Sequence, residues 1–153
     1  MQAIEGDLNI KGRRFAIVLA RFNEFIGSQM LEGALDCFKK QGVADDDIIL
    51  VKVPGAFEIP TAADKLASSG KYSAIICLGA VIRGGTPHFE YVAGAAATGI
   101  QQVSLKYGIP VIFGVLTTND TEQAVERAST SKMNKGYEAA LAAIEMANLL
   151  EKL

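Results

Sequence analysis

Apolar runs alternate with amphipathic stretches along this chain, and the alternation predicts its fold. Four runs are rich in β-branched residues and apolar at nearly every position. Runs of this kind are typical of strands in a parallel sheet, where helices cover both faces and keep the side chains from water. The predicted strands are residues 15–20, 48–53, 74–82 and 111–117.

The intervening and final segments have apolar residues at three- and four-residue spacing, which predicts amphipathic helices. They cover residues 26–40, 59–69, 87–107, 121–128 and 135–150. Strands that alternate with helices form a parallel sheet with right-handed crossovers. We therefore predict an α/β fold with one domain over residues 1–153. It is a three-layer α/β/α sandwich with a four-stranded parallel sheet in flavodoxin-like order and helices on both faces.

Residues typical of helix N-termini refine three boundaries. Thr86 before Pro87 predicts the start of the third helix, because a hydroxyl can cap it and proline suits the first helical position. Asn119 and Glu122 have the spacing of a capping box at the start of the fourth helix. Asn134 is placed to cap the last helix.

Composition and charge make several functions improbable starting points. The chain has 153 residues and a net charge of −2, so neither nucleic acid nor an anionic membrane attracts it in general. One histidine, His88, and two cysteines, Cys37 and Cys77, are too few for a usual zinc site. We expect no metal, and we expect both cysteines to be buried. The N-terminus lacks an apolar signal core and no apolar run approaches the ~20 residues that span a bilayer, so we expect a cytoplasmic protein.

Two predicted helices are unusually apolar for a monomer. Hydrophobic residues make up 50% of the chain, and they run nearly all round the last helix at residues 139–150. The third helix carries alanines and a glycine at residues 93–97, which allow close helix approach. Alanine-rich sequences also favour helices without any partner. We interpret the excess as packing between subunits and expect a homo-oligomer.

Polar residues and glycines follow the predicted strands. In an open α/β sheet, ligands bind outside the carboxyl ends of the strands, which we call the rim. The four rim loops are residues 21–23, 54–58, 83–89 and 118–120. Phe22 and Phe57, in two of these loops, could stack on a flat heterocycle, although aromatic residues more often belong to a core.

The third rim loop has the residues of an anion site. Gly84, Gly85 and Thr86 lead into a helix, where glycines let the backbone approach an anion and free amides donate to it. A Gly-Gly turn before a helix is also a common structural feature, and no P-loop lysine follows. His88, in the first turn, is either a proton-transfer group or a histidine with a structural hydrogen bond.

Four charged residues have both a structural and a functional interpretation. Glu58 suits a helix N-terminus, and it could also accept hydrogen bonds from a ligand. Lys135 and Glu138 are three residues apart, so they share one helix face as a surface ion pair. Arg127 is by default a solvated charge. Arg127, Lys135 and Glu138 lie outside the rim and could complete a site across a subunit interface.

The chain resembles the lumazine synthase family, the 6,7-dimethyl-8-ribityllumazine synthases, over essentially its whole length. The matching stretches occur in the expected order, at residues 20–23 (ARFN), 53–60 (VPGAFEIP), 79–89 (GAVIRGGTPHF), 113–118 (FGVLTT), 122–128 (EQAVERA) and 134–140 (NKGYEAA). The resemblance implies a step of riboflavin biosynthesis. In it, 5-amino-6-(D-ribitylamino)uracil condenses with 3,4-dihydroxy-2-butanone 4-phosphate to the lumazine, losing phosphate and water, without metal or organic cofactor.

The resemblance also implies residue roles. Phe22 would stack on the pyrimidine ring, and Gly85 and Thr86 would bind the phosphate. The catalytic residues would be His88, Arg127, Lys135 and Glu138. Further substrate contacts would come from Ala56, Phe57, Glu58, Ala80, Val81, Ile82 and Phe113. Phe113, Arg127, Lys135 and Glu138 would come from the neighbouring subunit of a pentamer, in which the third helices surround the five-fold axis.

One loop departs from the family pattern. Ser129 and Met133 stand where the family usually has glycines, and Ser131 stands where it has lysine. In the family this loop influences how pentamers associate. The resemblance therefore implies a pentamer that can build a 60-subunit shell, and the departures bear on that second step. Two alternatives keep the same fold: a non-catalytic flavin- or nucleotide-binding module, and a cage-forming protein without chemistry.

Overall fold

The computed structural model describes residues 1–129 and 133–153. Its elements alternate as the sequence predicts, with short 3₁₀ turns at Asp45–Asp47 and Ala56–Glu58. In chain order the elements are β1 Phe15–Ala20, α1 Glu24–Gln41, β2 Ile48–Val53, α2 Ile59–Ser68, β3 Ala74–Ile82, α3 His88–Tyr107, β4 Val111–Thr118, α4 Thr121–Ala128 and α5 Lys135–Lys152.

The four strands form one parallel sheet in the order β2-β1-β3-β4. Phe15 is paired with Ile48 on one side and with Ala74 on the other, and Ile82 ends β3 beside Thr118. This order places all four carboxyl ends at one edge, with β1 and β3 in the middle. The predicted α/β class, parallel sheet and flavodoxin-like order are confirmed.

Helices cover both faces of the sheet. One core cluster joins the sheet to α1, α4 and α5, and the other joins it to α2 and α3. Alternate residues of the central strands enter the two clusters, because successive side chains of a strand point to opposite faces. In β1, Phe15, Ile17 and Leu19 face the first cluster, whereas Ala16 and Val18 face the second.

The prediction that all four strands are buried on both faces is wrong for the two edge strands, β2 and β4. In β2, Ile49 and Leu50 are 38% and 40% exposed, and in β4, Phe113 is 45% exposed. By contrast, the whole of β1 is buried. An apolar run does not distinguish a central strand from an edge strand. Any surface that covers a strand, whether from the same chain or from another, favours apolar residues in it.

Helix α1 begins two residues before its predicted start, α3 begins one residue after it, and the N-cap of α4 is one residue later than predicted. Pro87, not Thr86, is the N-cap of α3, and no side chain caps that helix. The capping contact of α4 is made by Asp120, whose carboxylate accepts a hydrogen bond of 2.8 Å from the Gln123 N–H. The Asn119–Glu122 capping box is therefore wrong. Asn134 caps α5 as predicted, through the N–H of Tyr137 at 3.0 Å.

Helices α1 and α5 cross at very short range. Gly136 permits this, since a Cβ atom built there would lie only 1.9 Å from the carbonyl oxygen of Met30. Asn134 fixes the crossing, donating hydrogen bonds from its side-chain nitrogen to the carbonyls of Gln29 at 3.0 Å and Ala128 at 2.9 Å. One side chain therefore joins the start of α5 to α1 and to the end of α4.

Candidate active site

Hydrogen bonds tie two rim loops to each other and to strand β3. The Phe22 N–H donates to the carbonyl of Pro54 at 3.0 Å, which joins the loop after β1 to the loop after β2. The side-chain amide of Asn23 donates to the carbonyl of Ala80 at 2.9 Å, which joins the first loop to the end of β3. Asn23 has a φ of 60°, a left-handed conformation that asparagine tolerates better than most residues. The chain therefore turns sharply after β1 and brings Phe22 over the rim.

These loops surround a cleft of about 650 Å³. That volume suits a small organic ligand. The lining is mainly apolar and consists of Phe22, Asn23, Pro54, Gly55, Ala56, Phe57, Glu58, Ala80, Val81, Ile82, Gly84, Thr86, His88, Phe89, Tyr91 and Val92. Nine residues predicted from the sequence are among them. Gly85 is not, although both its neighbours in sequence are.

Phe22 and Phe57 are not core residues. Their exposed fractions are 72% and 58%, and both side chains border the cleft. Aromatic rings that stay exposed beside a cavity leave a face open to a ligand ring. Of the two interpretations that the sequence allowed, the structure favours a binding surface. Ala56, Ala80 and Val81 are buried and form the inner wall.

Glu58 supplies the carboxylate of the cleft. It ends the 3₁₀ turn Ala56–Glu58, and its N–H donates to the carbonyl of Gly55 at 3.2 Å. A Cβ atom at Gly55 would lie 3.2 Å from the Glu58 Oε2 atom, tighter than ordinary contact. The glycine therefore leaves room for the carboxylate at the wall of the cleft.

The glycine loop before α3 presents its backbone to the cleft. Gly84, Gly85 and Thr86 are exposed, and Cβ atoms built on the two glycines would meet nothing within 4 Å. His88 is the first residue of α3 and is exposed beside them. The first amides of a helix have no partner within it and attract anions. Gly84, Thr86 and His88 line the cleft, so parts of this loop and an imidazole at the helix start lie together at its wall.

No sequence pattern indicates a role for Arg83. Its Nε atom donates to Asn119 Oδ1 at 3.1 Å, and its Nη1 atom pairs with Glu90 Oε1. The guanidinium also lies 4.3 Å from the centre of the Phe89 ring. The hydrogen bond from Arg83 lowers the pKa of the Glu90 carboxyl. Only a three-dimensional arrangement shows these contacts, since Asn119 is remote in sequence.

Phe113, Arg127, Lys135 and Glu138 do not line this cleft. Lys135 and Glu138 share a face as predicted, and their charged atoms lie 2.9 Å apart. Arg127 donates to the carbonyl of Gln123 at 3.1 Å, and its side chain is 42% exposed. Phe113 is 45% exposed on the edge strand β4. We call Arg127, Lys135 and Glu138 the α4–α5 patch; the Asn134 side chain holds its two helices together.

Comparison with known proteins decides the family. The model of the family described as 6,7-dimethyl-8-ribityllumazine synthase matches residues 12–151. The chain belongs to this family. A 6,7-dimethyl-8-ribityllumazine synthase of Desulfatibacillum aliphaticivorans is 60% identical over 149 residues, which are 97% of this chain and 96% of the relative. One of Clostridium kluyveri is 58% identical over 153 residues, which are 100% of this chain and 99% of the relative. The predicted lumazine synthase family, with its transferase activity, is confirmed.

Neither cysteine of this lumazine synthase family member is available for chemistry. Cys37 and Cys77 are buried as predicted, and burial raises the pKa of the Cys37 thiol to about 11 and that of Cys77 further. Such thiols stay protonated and unreactive.

Within residues 1–129 and 133–153, no cluster of three His, Cys, Asp or Glu side chains could hold a metal ion, and no helix is long and apolar enough to cross a membrane. Ser131, one of the departures from the family pattern, lies outside the described residues.

Proposed function

We propose that this chain condenses 5-amino-6-(D-ribitylamino)uracil with 3,4-dihydroxy-2-butanone 4-phosphate to form 6,7-dimethyl-8-ribityllumazine, with release of phosphate and water, in riboflavin biosynthesis. The amine of the pyrimidine attacks the ketone to form an imine, phosphate is eliminated, and ring closure follows. The observation that carries the proposal is the single cleft that joins Phe22, Phe57 and Glu58 to Thr86 and His88. Family membership supplies the reaction, and this cleft supplies a place for both reactants.

The aromatic half of the cleft receives the pyrimidine. Phe22 stacks on its ring, as its 72% exposure at the rim allows. Ala56, Phe57 and Glu58 hold the ring and the ribityl chain, and the Glu58 carboxylate accepts hydrogen bonds from ring N–H groups or ribityl hydroxyls. Ala80, Val81 and Ile82 form the wall behind the ring.

The opposite end of the cleft receives the phosphate. Gly85 and Thr86 bind it through the exposed loop backbone and the start of α3. His88 lies next to that loop and moves protons during imine formation and phosphate elimination. The two substrates react with each other readily, so most of the acceleration comes from holding them together. No cofactor takes part.

A second subunit completes the site. Phe113, Arg127, Lys135 and Glu138 reach the cleft of a neighbouring copy, which accounts for their distance from the cleft of their own chain. The outer face of α3 supports such packing: only Ala96, Ile100 and Val103 of this helix are buried, and Tyr91 and Leu105 are each 74% exposed. A pentameric ring with α3 around its axis would cover these side chains. Such pentamers are able to assemble further into a 60-subunit shell in the cytoplasm.

Two measurements test this function. Mixing the purified protein with both substrates should accelerate the appearance of lumazine absorbance and fluorescence above the spontaneous rate. A rate equal to the spontaneous one would favour a non-catalytic binding or cage-forming protein. Light scattering should show a pentamer or a multiple of it, whereas a monomer that is fully active would contradict the shared site.

A further inference from the structure

Arg83 connects two elements at the phosphate end of the cleft. Its backbone N–H donates to the carbonyl of Thr118 at 2.9 Å, which continues the pairing of β3 with β4 by one residue. Its Nε atom then donates to Asn119 Oδ1 at 3.1 Å. Asn119 is itself fixed, since its N–H donates to Gln123 Oε1 at 2.8 Å in the first turn of α4. One side of the guanidinium is therefore anchored to β4 and α4.

The other side of the guanidinium holds the first turn of α3. It stacks on the Phe89 ring and pairs with the carboxylate of Glu90. Phe89 lines the cleft and packs against the core beneath α3. Arg83 thus reaches across the glycine loop, from the residue before Gly84 to the residues directly after His88.

The loop that Arg83 spans has little else to hold it. Among the described residues, Gly84, Gly85 and Thr86 form no hydrogen bond with one another or with the rest of the chain. No side chain caps α3, and the two glycines have open space around them. Glycine-rich backbone with so few contacts samples many conformations. The side chain of Arg83 therefore restrains this loop at both of its ends.

Arg83 also compensates the negative charge of Glu90, which disfavours anion binding at the start of α3. Glu90 lies in the first turn of α3, where its carboxylate would repel a phosphate bound at the helix start. Pairing with Arg83 compensates that negative charge. This electrostatic effect on the anion site is the main role of the Arg83–Glu90 pair, since ion pairs this exposed contribute little to folding stability.

We propose that Arg83 is a positioning residue for phosphate binding: it holds the glycine loop and the first turn of α3 in the receiving geometry, and it keeps Glu90 from repelling the anion. The proposal rests on the proposed function, because the phosphate is that of the butanone substrate. Arg83 does not itself touch the substrate and does not line the cleft.

Steady-state kinetics of Arg83→Gln test this role. The KM for the butanone phosphate should rise on the order of tenfold, because a misplaced loop loses contacts to the anion. The KM for the pyrimidine and the melting temperature should stay unchanged, and inhibition by inorganic phosphate should weaken in parallel. In the double variant R83Q/E90Q, removal of the repelling carboxylate should restore part of the KM.

Arg14→Gln is the matched control. Arg14 also stacks on an aromatic ring, that of Tyr72 at 5.6 Å, but it precedes β1 at the opposite end of the sheet. It should leave both KM values unchanged. Equal changes in both KM values of R83Q, or a double variant as impaired as R83Q, would overturn the proposal. If the wild-type protein does not accelerate the reaction, the proposed function is wrong. The binding of inorganic phosphate to wild type and to R83Q is then measured instead of inhibition. Equal phosphate affinity of the two proteins would overturn the role of Arg83.

Discussion

The side-chain amide of Asn23 donates a hydrogen bond of 2.9 Å to the carbonyl of Ala80, so the loop that presents Phe22 is fixed to the strand that forms the wall of the cleft. The same residue takes a left-handed conformation with a φ of 60°. Asn23 therefore contributes both a hydrogen bond between the loop after β1 and strand β3 and the backbone turn that follows β1.

Asn23→Gly and Asn23→Ala separate these two contributions. Both variants lose the bond to Ala80, and both should raise the KM for the pyrimidine because Phe22 is less firmly placed. Only Asn23→Ala must also adopt a strained positive φ, so it should be less stable than Asn23→Gly by about 1 kcal/mol. Chemical denaturation and steady-state kinetics measure the two effects. Equal stability of the variants would show that the backbone conformation costs nothing.

His88→Ala should slow the enzyme and leave measurable activity. Loss of a proton-transfer group costs about 10²-fold or less here, since proximity of the two reactants supplies most of the acceleration. The rate of lumazine formation is compared with the spontaneous reaction at the same substrate concentrations. A fall to that spontaneous rate would mean that proton transfer, not proximity, dominates.

Arg127→Ala should impair the reaction more than His88→Ala. A bound phosphate would lose a charge-assisted partner, which raises the KM for the butanone phosphate by about 10²-fold or more. Glu126→Gln is the control. The Glu126 carboxylate is exposed and lies 3.9 Å from the Arg127 guanidinium, and its removal should leave the KM for the butanone phosphate unchanged. A small effect of Arg127→Ala with an unchanged KM would refute the phosphate role.

Gly136→Ala should destabilise the fold and disturb the α4–α5 patch. The added Cβ atom would lie 1.9 Å from the Met30 carbonyl oxygen, so α5 must move away from α1. The expected cost is at least about 1–3 kcal/mol in free energy of unfolding. Lys135→Ala, one residue earlier, removes only an exposed ion pair and should cost about 0.5 kcal/mol or less. Similar denaturation midpoints for the two variants would contradict the tight crossing.

Strand positions were predictable because they depend on short-range patterns. The predicted limits of β1, β2 and β3 match the structure, and β4 extends to Thr118, one residue further than predicted. Rim residues were predictable for a related reason, since a parallel sheet brings the ends of separate strands to one edge. Phe22, Phe57 and His88 line one cleft although they lie in three different loops.

Contacts between side chains remote in sequence were not predictable. No pattern in the sequence shows that Arg83 meets Asn119, or that Asn134 reaches the carbonyl of Gln29 as well as capping its own helix. Helix starts and caps were uncertain by one or two residues, and for α4 the reason is local. Asn119 and Asp120 are adjacent and equally suitable as caps, and the backbone geometry decides between them.

The exposed apolar edge of β2 has a consequence for the making of this protein. An edge strand with Ile49 and Leu50 open to water offers backbone hydrogen-bonding groups to any extended chain nearby. A newly folded copy is vulnerable to aggregation until something covers that edge. The yield of native protein on refolding should therefore fall as the protein concentration rises, because encounters between such exposed edges become more frequent.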